Sequence, residues 1–346
     1  MPWRAFEALP PYFGGKRRLC PRIFKEISRV IPRERWASLR FVDPFLGGGA
    51  VSLYAKARGF AVSCSDIAER SAIIGRALIA NDSVRLECED VIRLFIPQPD
   101  AGDYMQSRAA PDHVTPEAAR FLDNAWAAAA AFADETKRAL AQLLLLKYLF
   151  WLRPHSRFSS PNAFNRPFLE RRYDDIKATY KQAIAANAMH PSVALERLRH
   201  AINAAVFRGA QECSAWRGDA REAVAMAPGA DVLYLDPPYA GTLSYEKEYR
   251  VLDGWFGEAR RTSAYSTERG LQEFGEFLGL CESHRLWVIS YGNAVASLEQ
   301  VRAVIEQFRP TRAVELAYAH LVAVATAEKR AENREFIILA GEGVQA

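Results

Sequence analysis

Apolar residues recur along this chain in two rhythms. Leu19, Ile23, Ile27 and Val30 sit at helical spacing ahead of Pro32, which predicts a helix ending at the proline. Leu39 to Val42 is then a short apolar run, Ala50 to Ala57 is helical, and Phe60 to Cys64 is a second run closed by Asp66. Two strands around one helix form a β-α-β unit, and such a crossover makes the strands parallel. The middle of the chain changes character. Thr115 to Leu152 and Tyr173 to Val206 carry Ala, Leu and aromatic residues at helical spacing, whereas Arg153 to Arg172 holds Pro154, Pro161 and Pro167 and has no period. Strand-like runs resume at Ala210 to Ala215, Asp231 to Leu235 and Leu286 to Ser290, with a helix over Gly270 to Leu280 before the last. Ala313 to Tyr318 and Phe336 to Leu339 enclose the charged segment Glu328 to Arg334, which predicts a terminal antiparallel pair. The pattern predicts an α/β core over 1–95 and 206–346, interrupted by a mostly helical insertion over 96–205.

Composition narrows the class without naming it. Half of the 346 residues are hydrophobic and a quarter are charged, which fits a globular chain and argues against disorder. The five cysteines, Cys20, Cys64, Cys88, Cys213 and Cys281, are scattered and never spaced C-x-x-C, so neither a disulfide framework nor a metal site is expected. No apolar run approaches ~20 residues and the start of the chain lacks a signal-peptide core, so a cytoplasmic protein is expected. The net charge of +4 names no partner, but its placement is uneven: residues 1–40 hold ten basic and three acidic side chains, and the rest of the chain is net acidic.

Two constellations carry chemistry. In Asp43-Pro44-Phe45-Leu46-Gly47-Gly48-Gly49, glycines between a strand and a helix let the backbone approach a ligand and aim amides at it. The run is neither G-x-G-x-x-G nor a P-loop, since Gly14-Gly15-Lys16 is followed by Arg17; a tight packing turn would carry the same glycines. Asp66 ends the second strand about 20 residues on, where a ribose hydroxyl pair is held in dinucleotide sites, and it is equally placed to cap the helix that follows. The sharper constellation is Leu233-Tyr234-Leu235-Asp236-Pro237-Pro238-Tyr239. A carboxylate and proline-fixed carbonyls together accept from both hydrogens of an amino group, and the tyrosine offers a flat face. That combination suits a planar exocyclic amine such as that of a nucleobase.

With both in view, the chain resembles the Dam-type DNA adenine N6-methyltransferases, which use S-adenosylmethionine. Pro11-Tyr12-Phe13-Gly14-Gly15-Lys16 is similar to the family's N-terminal aromatic-x-G-G-K element, Asp43 to Gly49 to its cofactor turn, and Asp236 to Tyr239 to its catalytic D-P-P-Y. Phe164-Asn165-Arg166-Pro167-Phe168 resembles F-N-x-P-F in its DNA-contacting region, and Asn333-Arg334-Glu335-Phe336-Ile337-Ile338 its final core strand. The family's N-G-L-x-R element has no clear copy; Arg153-Pro154-His155-Ser156-Arg157-Phe158 lies in its place, so no target sequence carries over. The segment Ala240 to Thr267 is longer and more charged than the family leads one to expect.

The resemblance implies a Rossmann-like methyltransferase core with a helical DNA-recognition insertion. It implies that Asp236, Pro237, Pro238 and Tyr239 are catalytic, and that Tyr12, Gly14, Gly15, Lys16, Asp43, Phe45, Gly47, Gly49, Asp66, Asp219 and Asp236 bind the cofactor. Arg153, Arg157, Asn165, Arg166, Arg171 and Arg172 are the expected DNA contacts, in a loop where arginine alternates with Phe158, Phe164 and Phe168. That loop would equally serve to pack the insertion onto the core. Double-stranded DNA is the expected partner, with a cognate restriction endonuclease or another defence component beside it. RNA adenine methylation and a DNA-binding module without catalysis share these motifs. Protein-glutamine methyltransferases usually carry Asn where Asp236 stands, and a nicotinamide dehydrogenase would leave D-P-P-Y unexplained.

Overall fold

The computed structural model describes residues 2–12, 14–153, 158, 181–238, 245–258, 263–293, 296–317 and 332–344. They divide into two compact units. One comprises Phe13–Gly75, Gly209–Ser244 and Arg261–Ala346; the other comprises Met1–Tyr12, Arg76–Arg208 and Tyr245–Arg260.

The first unit is built on a seven-stranded sheet: β1 (Arg40–Asp43), β2 (Ala61–Asp66), β3 (Ser214–Arg217), β4 (Val232–Leu235), β5 (Leu286–Gly292), β6 (Thr311–Ala317) and β7 (Arg334–Gly341). Their spatial order is β3-β2-β1-β4-β5-β7-β6. The first five are mutually parallel, and β7 runs antiparallel between β5 and β6, as in a Rossmann-like methyltransferase core. From β1 the chain winds outward through β2 to β3, then returns to lay β4 on the other side of β1. The topology therefore reverses between β1 and β4, and in open α/β sheets ligands bind beyond the carboxyl ends of the strands at that switch point.

The central strands are legible as apolar runs because both of their faces are covered. All of β4 and β5 is buried, while the edge strands β3 and β6 are half exposed. Alternation assigns the two faces. Val42, Leu233 and Leu235 pack with Phe274, Phe277 and Trp287 under the helices Gly270–Gly279 and Leu298–Ile305. On the opposite face Phe41 meets Phe24, Phe60 and Tyr234.

Most strand boundaries differ slightly from expectation, and three starts move by two residues or more. β3 begins at Ser214 rather than Ala210, because Cys213 is already turned to accept from the Val62 amide through its sulfur. β6 starts at Thr311 and β7 at Arg334, so Arg312, Arg334 and Glu335 join the ladder although an apolar pattern excludes them.

The second unit is helical. Its long elements are Pro116–Ala130, capped by the Thr115 hydroxyl, and Glu135–Trp151, capped by Asp134. Leu143 to Leu146 are all buried, which marks Glu135–Trp151 as a central helix with no polar face there. The unit is wider than the expected 96–205, for reasons a local pattern cannot show. Lys147, buried in the central helix, donates to the carbonyls of Glu7 (2.5 Å) and Leu9 (3.1 Å) and so holds the start of the chain. Arg199 and Asn203 both donate to the Leu86 carbonyl at 2.8 Å, drawing in the segment after Arg76. Trp255 and Phe256, at the end of helix Tyr245–Trp255, pack on Trp126 with centroids at 4.5 and 4.9 Å. Among the described residues no helix is long and apolar enough to cross a membrane.

Candidate active site at the tips of β1 and β4

β1 delivers Asp43 to the switch point, where it is 1% exposed. Its Oδ2 accepts from the Ser52 hydroxyl at 2.6 Å and its Oδ1 from the Phe45 amide at 3.2 Å. Burial pushes this carboxyl up to about 7; the Ser52 hydrogen bond opposes the rise and the Asp236 charge adds to it. The turn that follows needs its glycines, since Gly47 (φ 51°) and Gly49 (φ 72°) are left-handed, a region that side chains disfavour. Gly49 then opens the helix Ala50–Ala57.

Asp66, at the end of β2, braces that turn from the side. Its Oδ2 accepts from the Gly47 amide at 2.8 Å and its Oδ1 from the Ala68 amide at 2.9 Å. Both Asp66 oxygens therefore shape backbone. Burial raises this carboxyl too, against the pull of the Ala68 amide and the Arg70 charge. The Asp66 carbonyl also accepts from the Gly218 amide at 3.1 Å, which places Asp219 next to the same rim. Asp219 is exposed; it caps the helix Ala220–Met226 by accepting from the Arg221 amide at 2.9 Å. Phe45 stands with its edge against Tyr265, centroids 5.5 Å apart.

β4 delivers Asp236, 19% exposed, followed by a buried Pro237 and a half-buried Pro238. Lys16, 3% exposed, meets it: Nζ lies 2.9 Å from Asp236 Oδ1, 3.2 Å from Glu335 Oε1 and 3.0 Å from the Gly14 carbonyl. Gly14 is itself left-handed at φ 75°, which turns its carbonyl back toward the lysine. In the sheet unit, Asp43, Phe45, Gly47, Gly49, Asp66, Asp219 and Asp236 lie on strand tips and the turns joined to them, and Gly14, Gly15 and Lys16 lie on the irregular segment before the helix Cys20–Val30. Sequence reasoning missed Ser52, Glu335 and Tyr265; a lone acid heading the apolar run of β7 was the available signal for Glu335.

Other expected site residues fall elsewhere. Tyr12 belongs to the helical unit, where its ring stacks on Tyr249 at 5.3 Å. Arg153 is 2% exposed, donates to the His113 carbonyl at 2.8 Å and lies 5.0 Å over the Phe158 ring at the end of the central helix. Phe158 is buried with it, against the rings of His113 and Phe150 in the same unit. Tyr239, Arg157, Asn165, Arg166, Arg171 and Arg172 lie outside the described residues. Among the described residues no group of His, Cys, Asp and Glu is arranged to hold a metal.

Comparison with known proteins agrees with the geometry. The chain is 26% identical over 334 residues to the Type II methyltransferase M2.HphI of Haemophilus parahaemolyticus, covering 95% of this chain and 96% of that one. Residues 12–264, most of the chain and both strand tips, match the D12 class N6 adenine-specific DNA methyltransferase family. The chain belongs to that family, and it is an enzyme that places a methyl group on the N6 amino group of adenine at specific sites in DNA.

Proposed function

We propose that the methyl donor is S-adenosylmethionine, bound at the β1 and β2 tips, and that Asp236 with the Pro237 carbonyl accepts from the adenine amino group. The single observation that carries this reading is the charge balance of the rim: Asp43, Asp66 and Asp236 interact electrostatically around one glycine turn, and Lys16 is shared between Asp236 and Glu335. An acidic rim fits a donor whose sulfonium and ammonium are both cationic. Left-handed Gly47 and Gly49 leave room for close approach, and the Asp66 carboxyl beside that turn suits a ribose. When bound, S-adenosylmethionine supplies a methyl group on a positively charged sulfur.

The residues of the chain do the rest. The adenine amino lone pair is delocalised into the ring; two acceptors, Asp236 and the Pro237 carbonyl, draw the N–H bonds out of plane and leave the lone pair to point at the methyl. A base within a duplex is reached by flipping it out of the stack, at a cost of a few kcal/mol. Stacking on Tyr239 offsets about 1 to 3 kcal/mol of that. Arg157, Asn165, Arg166, Arg171 and Arg172 read the duplex, and the helical unit carries that reading surface. The relative's type II name supports a cognate restriction endonuclease as the cellular partner.

The test is methyl transfer from S-adenosylmethionine labelled on the methyl group to duplex DNA. Label should appear in N6-methyladenine with the native enzyme and fall by at least about 10²–10³-fold with Asp236→Ala, while donor binding stays within a few-fold. Substantial residual N6-methyladenine in that variant would remove Asp236 from the role.

A further inference from the structure

Glu335 is the least expected charge in the molecule. It lies on β7 ahead of Phe336 to Ala340, all buried and apolar, and is itself 0% exposed. The backbone holds it from both sides, opposite Gly292 of β5 and Leu316 of β6. A carboxylate so placed is tolerated when a cation meets it with good geometry. Lys16 Nζ stands 3.2 Å from Glu335 Oε1, an ion-pair contact, and 2.9 Å from Asp236. The same ammonium is within ion-pairing distance of both carboxylates and donates to the Gly14 carbonyl at 3.0 Å.

We infer that Glu335 is a positioning residue for methyl transfer, acting through Lys16 to keep Asp236 available to the adenine amino group. The two carboxylates compete for one ammonium. Of the two, Glu335 is sealed in the sheet and Asp236 is 19% exposed, so Asp236 is the carboxylate within reach of a ligand. Without Glu335, Lys16 and Asp236 would form a closed neutral pair, and the carboxylate would be committed to the lysine instead of to the base. The strand position matters as well. Lys16 lies in an irregular segment, and a carboxylate fixed between two neighbouring strands gives it a rigid second anchor. The inference rests on the reading of Asp236 as the acceptor for the amino group.

The experiment is a double-mutant cycle on the full-length enzyme, read as single-turnover methyl transfer to duplex DNA with donor and DNA affinities measured beside it. Glu335→Gln should slow transfer by about 10- to 100-fold, the size seen when a group that orients a reacting residue is lost. Both affinities should stay within about threefold, and Glu335→Asp should recover part of the rate. Because Glu335 acts through Lys16, adding Glu335→Gln to Lys16→Met should cost no further rate. A native rate in Glu335→Gln would overturn the inference, as would an equal cost of that change with and without Lys16. Asp236→Asn is run in parallel. If that variant keeps its rate, the acceptor reading itself fails; if it is inactive while Glu335→Gln is native, only the role of Glu335 fails.

Discussion

The tips of β1 and β4 are neighbours in the sheet, and each ends in an aspartate followed by proline, yet the two carboxylates are prepared for different work. Asp43 is sealed, accepts from a hydroxyl and an amide within nine residues of itself, and is pushed up to about 7 by its burial. Asp236 is partly open and meets a lysine that a second carboxylate shares. Asp43 therefore builds the glycine turn, while Asp236 stays partly exposed beside the lysine. The same dipeptide sits in two settings because different segments fold over it.

The largest expected effect comes from removing what distinguishes the two tips. Lys16→Met takes the ammonium away from the buried Glu335. The expected cost is about 3–5 kcal/mol of unfolding free energy by urea titration, together with a loss of methyl transfer. Adding Glu335→Gln should return most of that stability. A Lys16→Met protein as stable as the native one would show that the lysine does not tie β4 to β7.

Legibility followed the same divide. The tips of β1 and β4 were readable because their signals are local: an apolar run, an acid, a proline, then glycines or an aromatic. The antiparallel β6 and β7 were readable as elements, but their first residues were not, since Arg312, Arg334 and Glu335 break the apolar pattern that reveals a strand. The Lys16, Asp236 and Glu335 cluster joins the start, the later half and the end of the chain, and no spacing rule links such positions. Arg153 shows a related limit. Arginine among prolines and phenylalanines has the composition of a nucleic-acid loop, and only packing shows that its guanidinium donates to the His113 carbonyl and lies over Phe158. Lys147 and Arg199, which decide where the helical unit begins and what it gathers, act through backbone carbonyls that a side-chain pattern never registers.

A smaller effect sharpens the Asp43 side. The folded protein retains the Asp43 proton up to about pH 7, whereas the unfolded chain releases it near ~3.9. The native state thus binds more protons between those values, so the contribution of this group to stability falls as pH rises through that window and is lowest above pH 7. Asp43→Asn removes the titration. The native-minus-variant difference in unfolding free energy should drop by a few kcal/mol, roughly 2–4, between pH 4 and pH 8. A difference independent of pH would mean that Asp43 is not held protonated by burial. The smallest effect is at the turn between the tips: Gly49→Ala forces a side chain into φ 72° and should cost about 1–2 kcal/mol, with weaker donor binding measured by calorimetry.

The most direct measurement is the single-turnover rate of Asp236→Asn at saturating donor and DNA. The substitution keeps the size of the side chain and one oxygen but removes the carboxylate that stands beside Lys16 at the β4 tip. Methyl transfer to adenine N6 should fall by at least about 100-fold with both ligands still bound. A rate within about threefold of the native enzyme would contradict the account.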